Sequence, residues 1–524
     1  MGAGGPSSRA AVPRPQFPRG THPASAPPTM RSCKQRTSAA LLVGATVSGL
    51  ITLILILVET ASVLLPADVK FGLVFDAGSS HTSLFVYQWP AEKENDTGVV
   101  SQALECKVEG PGISSYASDP AQAGESLRHC LDRAVAHIPK ARWQGTPVFL
   151  GATAGMRLLS QKNISQATAI FEAISQVLGS SPLNFWGANV LAGQDEGSLG
   201  WITTNYVLES LVKFSFSGEW VRPQEGALVG ALDLGGASTQ ITFLPEGPIL
   251  DKSTEATFRL YGSNYSVYTH SYLCFGRDQI LNRLLVNLFQ QGSADHQIKH
   301  PCYPKGYRTT LAPGPLYESP CAHSTAPPGL AQNITVEGTG TPGDCVTALH
   351  QLFNFSSCER RKDCAFEGVY QPPVRGQFYA FSSFFYTLNF LNLTSGQPLT
   401  TVNSTIWEFC QKPWEQLEAS YPGDTRWLHE YCASGLYILK LLLDGYGFTE
   451  QTWPSISFHK QVDGTDIGWT LGYMLNQTNR IPTELPTRQL AQPHSVWVAS
   501  VVWAVLTLLA LLGAAAAQLL WTRS

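Results

Sequence analysis

Two stretches of this chain follow one pattern, and a chain that repeats such a pattern has few ways to fold. Phe71–Phe85 reads FGLVFDAGSSHTSLF and Ala231–Phe243 reads ALDLGGASTQITF. In each, an apolar run ends in Asp-x-Gly, small polar residues follow, and a second apolar run begins. Runs of this length bounded by Gly and Ser read as two buried strands joined by a tight turn. Asp233 aligns with Asp76, Gly235 with Gly78, and Ser238 and Thr239 fall near His81 and Thr82. Taken alone, either copy is most simply an ordinary Gly-Ser hairpin. Their recurrence 157 residues apart, about one domain, predicts two similar loops able to clamp a ligand from both sides.

The residue types name the ligand. Glycine lets a ligand approach the main chain closely. A nest of backbone N–H groups in such a turn binds anions, and Ser and Thr add hydroxyl donors. Asp76 and Asp233, at strand ends beside that nest, suit a hydrated cation. Facing loops of this kind fit a chain of phosphates.

The rest of the chain bounds where this chemistry happens. Its 524 residues allow about two or three domains. A net charge of −4 gives no reason to expect nucleic acid, which wants a basic face. Ala39–Val58 is a continuous run of apolar and small residues, enough to cross a bilayer as a helix, and we assign residues 39–62 to that segment. It is longer than the apolar core of a signal peptide and has no clear cleavage site, so an uncleaved anchor is expected. Arg31, Lys34 and Arg36 before it put the N-terminus in the cytoplasm. A second run, 496–517, should bring the chain back, leaving 1–38 and 518–524 as cytoplasmic tails and 1–29 as a disordered extension.

Between the two runs lie ten of the eleven cysteines, an even number that fits five disulfides in an oxidising compartment. Cys33 is the odd one, free or acylated. The spacing is not that of a zinc site. Asn95, Asn163, Asn264, Asn333, Asn354, Asn392, Asn403 and Asn476 each open an Asn-x-Ser/Thr triplet in the same region. Eight such sequons favour a luminal or extracellular face.

Further motifs fall between and after the loops. Ala121–Ile138 has helical periodicity. Thr146–Leu150 reads as a strand leading into GATAGMRLL, where Thr153 suits a hydroxyl aimed into a site and a plain strand-to-helix connection fits equally. Gln194, Asp195 and Glu196 sit between glycines after an apolar run, where carboxylates are candidates for metal or water activation. Lys299–Cys364 reads as loop-rich, cross-linked surface structure. Gly376–Leu391 is an aromatic stripe at helical spacing, mostly core, with a face able to stack a base. Trp427 is a second stacking candidate or a support for Cys432.

Together these stretches resemble the ecto-nucleoside triphosphate diphosphohydrolases, the membrane apyrases. DAGSSHTS, GATAGMRLL, LAGQDEG, ALDLGGASTQITF and the Gln371-to-Trp469 region resemble that family's five conserved regions, in order. The resemblance implies an α/β fold of two actin-like (RNase H-like) lobes with nucleotide in the interlobe cleft, anchored by a transmembrane helix at each end. Lobe I would span 69–192 and lobe II 193–459, with 460–494 returning to lobe I. It implies stepwise hydrolysis of extracellular nucleoside tri- and diphosphates at the plasma membrane. Glu196 would be the catalytic base, and Asp195 stands where many members have Glu. Ser79, Ser80, His81, Thr82, Gly235, Gly236, Ala237 and Ser238 would bind phosphates. Asp76, Asp233, Thr153 and Trp469 would hold Ca2+ or Mg2+, mostly through water. Tyr386, Trp427 and Arg277 would bind the base. The implied disulfides are Cys106–Cys130, Cys274–Cys321, Cys302–Cys345, Cys358–Cys364 and Cys410–Cys432. A homo-oligomer is compatible with this reading.

Two rivals stand beside hydrolysis. A kinase of the same superfamily would pass phosphate to an acceptor, and a glycosylated receptor would bind nucleotide without chemistry. The extracellular placement and Glu196 argue against the first, and Asp76, Asp233 and Glu196 together against the second. No Gly-x4-Gly-Lys-Ser/Thr loop occurs, so P-loop chemistry is excluded.

Overall fold

The duplication foreseen in the two loops extends to whole sheets in the computed structural model. The structure describes residues 30–57, 61–64, 68–215, 220, 221, 223, 228–291, 297–322, 332–358, 361–423, 426–483, 488–491 and 494–522. Five strands form one sheet in the order Ser101–Lys107, Thr82–Pro90, Val69–Ala77, Pro147–Ala152, Asn184–Val190. The first three are antiparallel neighbours and the last two add in parallel. The second sheet repeats that plan: Glu255–Leu260, Ser263–Leu273, Ser238–Phe243 and Gly230–Leu234 are antiparallel, then Phe378–Ser382 and Ile456–Phe458 add in parallel. In each sheet the Asp-x-Gly turn closes the hairpin beside the switch from antiparallel to parallel pairing. The central strand of each is flanked on both sides, so its run up to the aspartate is mostly apolar rather than alternating.

Helices cover both faces. Ile170, Ile174, Leu127 and Leu131 pack on one side of the first sheet. Its other side shares a core with the second sheet, where Val74, Phe85, Trp89 and Phe149 meet Trp201, Ile202, Val267, Phe381, Trp469 and Met474. The far side of the second sheet carries the largest core, built with Leu284, Leu349, Ile406 and Ile438. The helix Trp469–Thr478 packs on the helix Gly193–Val207 at very short range: a Cβ on Gly472 would sit 2.0 Å from the Leu199 carbonyl oxygen. Backbone cannot yield there. Gly472→Ala should cost about 1–3 kcal/mol, as overpacking does, and lower the melting temperature by a few degrees in a thermal scan. An unchanged melting curve would mean the two helices can part freely.

The chain divides into two compact units, one of residues 67–486 and one holding both terminal apolar helices. Those helices, Met30–Leu57 and His494–Thr522, are long and apolar enough to cross a membrane. Ser48 and Thr507 hydrogen-bond between them at 2.8 Å. The first helix stops before the expected residue 62: Glu59 follows it in sequence, and Ala61–Leu64 forms a strand with Arg488–Ala491. The segment 1–29 lies outside the described residues, as does the side chain of Cys33.

Two local expectations change. Lys299–Cys364 is more ordered than a cross-linked loop: Gln297–His300, Arg308–Leu311 and Ile334–Gly338 form a three-stranded sheet around Ile298, Tyr303, Ile334 and Val336. Its prolines begin helices rather than break them, Pro313 and Pro342 each standing in the first turn, where the missing N–H costs nothing. The Gly376–Leu391 stripe is a strand to Ser382 and a helix only from Ser383. The disulfides are Cys106–Cys130, Cys274–Cys321, Cys302–Cys345, Cys358–Cys364 and Cys410–Cys432. Seven of the eight sequon asparagines are exposed, and Asn476 is half-buried.

Candidate active site

The two turns meet. Strand register sets Asp76 opposite Ser83 and Asp233 opposite Gln240, so the loops 78–81 and 235–238 are equivalent. A Cβ on Gly236 would lie 2.6 Å from Ser79 Oγ and 2.7 Å from Asp278 Oδ2, which fixes glycine where one loop approaches the other. The second loop turns its carbonyls into the start of the helix Arg277–Gln291: Gly235 O accepts from Arg277 N at 2.9 Å, and Gly236 O accepts from Asp278 N at 2.8 Å. With the carbonyls spent there, the N–H groups are left over. Among the described residues the amides of Ser79, Ser80, Gly236 and Ala237 donate to no backbone carbonyl. That is an anion nest on each side of one gap. Ser80 Oγ pairs with His81 Nδ1 at 3.1 Å. Burial, with Lys107 nearby, holds His81 below its usual pKa, so its ring is neutral at pH 7. Thr82 is buried with its Oγ1 unpartnered.

Behind the gap stand three carboxylates, Glu196 buried and Asp76 and Asp233 half-buried with their Oδ1 atoms out of solvent. Asp76 Oδ1 and Asp233 Oδ1 have no hydrogen-bond partner, and burying such atoms is costly. Burial pushes Asp76 up to about 7, opposed by the Trp469 indole and helped by Asp233. The indole lowers that pKa by proximity, yet Trp469 Nε1 makes no hydrogen bond of good geometry. Burial pushes Asp233 up to about 6 against the pull of Ser382 and Arg157. Trp469 lies behind Gly151, where a Cβ would fall 2.3 Å from its ring. Thr153 stands at the N-cap position of the next helix with no capping bond from its side chain, and its amide donates to Ala77 O at 3.1 Å. Unpartnered hard oxygens on two aspartates suit a divalent cation. Among the described residues no three His, Cys, Asp or Glu side chains converge closely enough to ligate one, which suits an ion held largely through water.

Glu196 is the third. It lies in the first turn of the helix Gly193–Val207, not at a strand end, and there the helix dipole favours a carboxylate. Burial pushes it up to about 8, opposed by Arg157 and raised further by Asp233 and Asp76. Arg157 pairs with it directly, and Gln240 Nε2 donates to its Oε2 at 3.1 Å. Gln240 also donates to Ser238 Oγ at 2.7 Å and Ser271 Oγ at 3.0 Å. Arg157, Gln240 and Ser271 were not singled out from the sequence. Two of them had a signal: Arg157 is one helical turn beyond Thr153, and Gln240 is two strand positions beyond Ser238, on the same face. Asp195 is exposed, and among the described residues its side chain has no such partners.

The base-binding candidates divide. The Arg277 guanidinium lies 5.1 Å from the Trp427 ring centre, and Arg426 lies 4.6 Å from the same ring. Arg277 is fixed by Glu430 and by Ser434 Oγ at 3.1 Å. Tyr386 is half-exposed on the helix Ser383–Phe390 and feels Lys460, Asp466 and Glu105 instead. Among the described residues it makes no ring contact with Trp427.

Comparison with known proteins fits this geometry. The GDA1/CD39 (nucleoside phosphatase) family pattern matches residues 62–493. The ectonucleoside triphosphate diphosphohydrolase 8 of Homo sapiens is 68% identical over 490 residues, covering 94% of this chain and 99% of that protein. The ectonucleoside triphosphate diphosphohydrolase 2 of Mus musculus is 46% identical over 469 residues, 88% of this chain and 93% of that one. The crystal structure of nucleoside triphosphate hydrolases from Neospora caninum superposes with a TM-score of 0.56 at 14% identity, over 79% of this chain and 93% of that one. The latter likeness shows the fold alone, an actin-like arrangement of mixed sheets and helices. With paired Asp-x-Gly turns, a buried glutamate between them and this breadth of match, the chain belongs to the GDA1/CD39 nucleoside phosphatase family.

Proposed function

We propose that this chain hydrolyses nucleoside tri- and diphosphates, among them ATP, ADP, UTP and UDP, to the monophosphate and phosphate at the outer face of the plasma membrane. The observation that carries the reading is the pair of facing turns, with their unspent amides, beside the buried Glu196. The amides of Ser79, Ser80, Gly236 and Ala237 hold the phosphate oxygens, and His81 and Ser238 add side-chain donors. A water beside Glu196 attacks the terminal phosphorus. Its proton goes to the Glu196 carboxylate, the bridging P–O bond breaks, and the electron pair leaves with the nucleotide. The transition state is loose and its charge spread over oxygens, so positioned donors do most of the work. A bound Ca2+ or Mg2+, held by Asp76 and Asp233 through water with Thr153 and Trp469 alongside, would neutralise phosphate charge. Arg277 and Trp427 receive the base, with Tyr386 a separate candidate on its own helix, and stacking on any π-face implies broad nucleotide acceptance.

Both terminal helices span the membrane in this reading, with the tails cytoplasmic and the sequons and disulfides outside. Intact cells expressing the chain should release phosphate from ATP and from ADP supplied in the medium, and chelation of divalent cations should abolish it. Activity only after the cells are permeabilised would reverse the orientation. Nucleotide binding without release under any condition would leave a receptor.

A further inference from the structure

We infer that Arg157 is a positioning residue for the reaction: it reaches across from the first sheet's layer and holds the Glu196 carboxylate in line with the second phosphate turn. The inference rests on Glu196 being the base. Arg157 sits on the helix Ala154–Lys162, directly after the parallel strand Pro147–Ala152 of the first sheet. Every contact of its guanidinium lies on the other side. Nη2 pairs with Glu196 Oε2 and donates to Ser238 Oγ at 3.3 Å, and Nη1 donates to Ser271 Oγ at 3.3 Å.

Gln240 mirrors it, donating to the same three residues from the second sheet. Both donors close on Oε2, and among the described residues Oε1 accepts from none, so Oε1 is the oxygen that faces water. The path of the guanidinium is built in. A Cβ on Gly193 would lie 2.5 Å from Arg157 Nη1 and 2.4 Å from Ser271 Oγ, so the helix that carries Glu196 opens with the one residue that lets the arginine pass.

A buried ion pair is weak evidence for stability, because desolvation offsets the attraction. Its partners here decide the role. The charged groups that act on Glu196 are Asp76 and Asp233 from the central strands and Arg157, while Asp195 on its own helix is exposed; Trp469, Gln240, Ser238 and Ser271 face the site uncharged. Arg157 is the one cation among them. Without it, two aspartates and burial would all favour the protonated acid, which cannot accept a proton from water.

The test is the pH dependence of nucleotide hydrolysis by the full chain in detergent, at saturating divalent cation, for wild type, Arg157→Ala, Arg157→Lys and Glu196→Gln. Each pKa unit is about a tenfold change in the ionised fraction. Arg157→Ala should lower kcat at pH 7 by about 10–100-fold with KM within about threefold. The acid limb of its profile should move up by about one unit or more, so that the deficit shrinks by pH 9. Added guanidinium ion should restore part of the loss, which a misfolded variant would not allow. Arg157→Lys keeps the charge but not the fork, and should hold the acid limb within about half a unit while kcat falls.

An unshifted profile for Arg157→Ala, or a raised KM at unchanged kcat, overturns the inference. Should Arg157→Ala fail to fold, a wild-type kcat in Arg157→Lys overturns it. Full activity in Glu196→Gln would instead remove the base assignment on which the inference stands.

Discussion

Glu196→Gln should abolish turnover while leaving the protein folded and able to bind nucleotide. Loss of a general base costs about 10²–10⁴ in rate, and the neighbouring carboxylate is not placed to replace it, since Asp195 is exposed and among the described residues its side chain shares none of the partners of Glu196. The glutamine keeps the size of the side chain and an oxygen for Gln240. It leaves the Arg157 charge without its counter-ion, which is destabilising. It also removes a carboxyl that burial holds near pKa 8, which relieves part of that strain. The two stability effects oppose, so the melting temperature should move far less than the rate. Single-turnover phosphate release and binding of a non-hydrolysable triphosphate are the measurements. A rate within tenfold of wild type would assign the base elsewhere.

The second large effect is a pH-dependent response to divalent cations. Without cation, Asp76, Asp233 and Glu196 have pKa values pushed up to about 7, 6 and 8. A carboxyl whose folded pKa lies above its unfolded value contributes stability that is whole below the unfolded pKa, near 4, and lost as pH rises through the folded one. The chelated protein should therefore lose stability as pH climbs from about 4 to about 8. One pKa unit is about 1.4 kcal/mol, so three shifted groups make this a loss of several kcal/mol in order of magnitude.

A cation takes the place of those protons. Binding at a hundred times Kd adds about 2.7 kcal/mol, and protons compete for the same oxygens at low pH. Added Ca2+ should thus raise the melting temperature clearly at pH 8 and little at pH 5. Asp76→Asn with Asp233→Asn should flatten both the response and the pH slope. An equal cation shift at both pH values would place the ion away from these carboxylates.

The loops were legible because two hairpins with one residue order cannot hide: Asp76 and Asp233 are spelled out, and the register of each hairpin follows from its turn. The two-lobed fold came with the family resemblance, and the repeat itself announced only the two turns. What the sequence concealed depends on distance in the chain. Arg157 and Glu196 are separated by a helix and a strand, so the place of Arg157 one turn beyond Thr153 points to the site but not to the carboxylate it meets. Ser271 lies on the long strand Ser263–Leu273, in no motif that marks it. The three short strands between Lys299 and Cys364 each have too few alternating positions to outweigh the prolines around them. Disulfide partners are beyond spacing altogether, since ten cysteines admit many pairings.

The helix Trp469–Thr478 has a consequence for how the protein is made. It fills hollows left by glycines of the first sheet's region: Met474 occupies the space a Cβ on Gly72 would need, Thr478 that of Gly98, and Trp469 that of Gly151. Those glycines emerge from the ribosome early and the residues that cover them emerge almost last. During synthesis the first sheet therefore waits, one apolar face bare, until nearly the whole chain has been delivered. A nascent chain in that state is a natural client for chaperones. Chains truncated before Trp469 should be retained by them and degraded, even with both Asp-x-Gly turns in place.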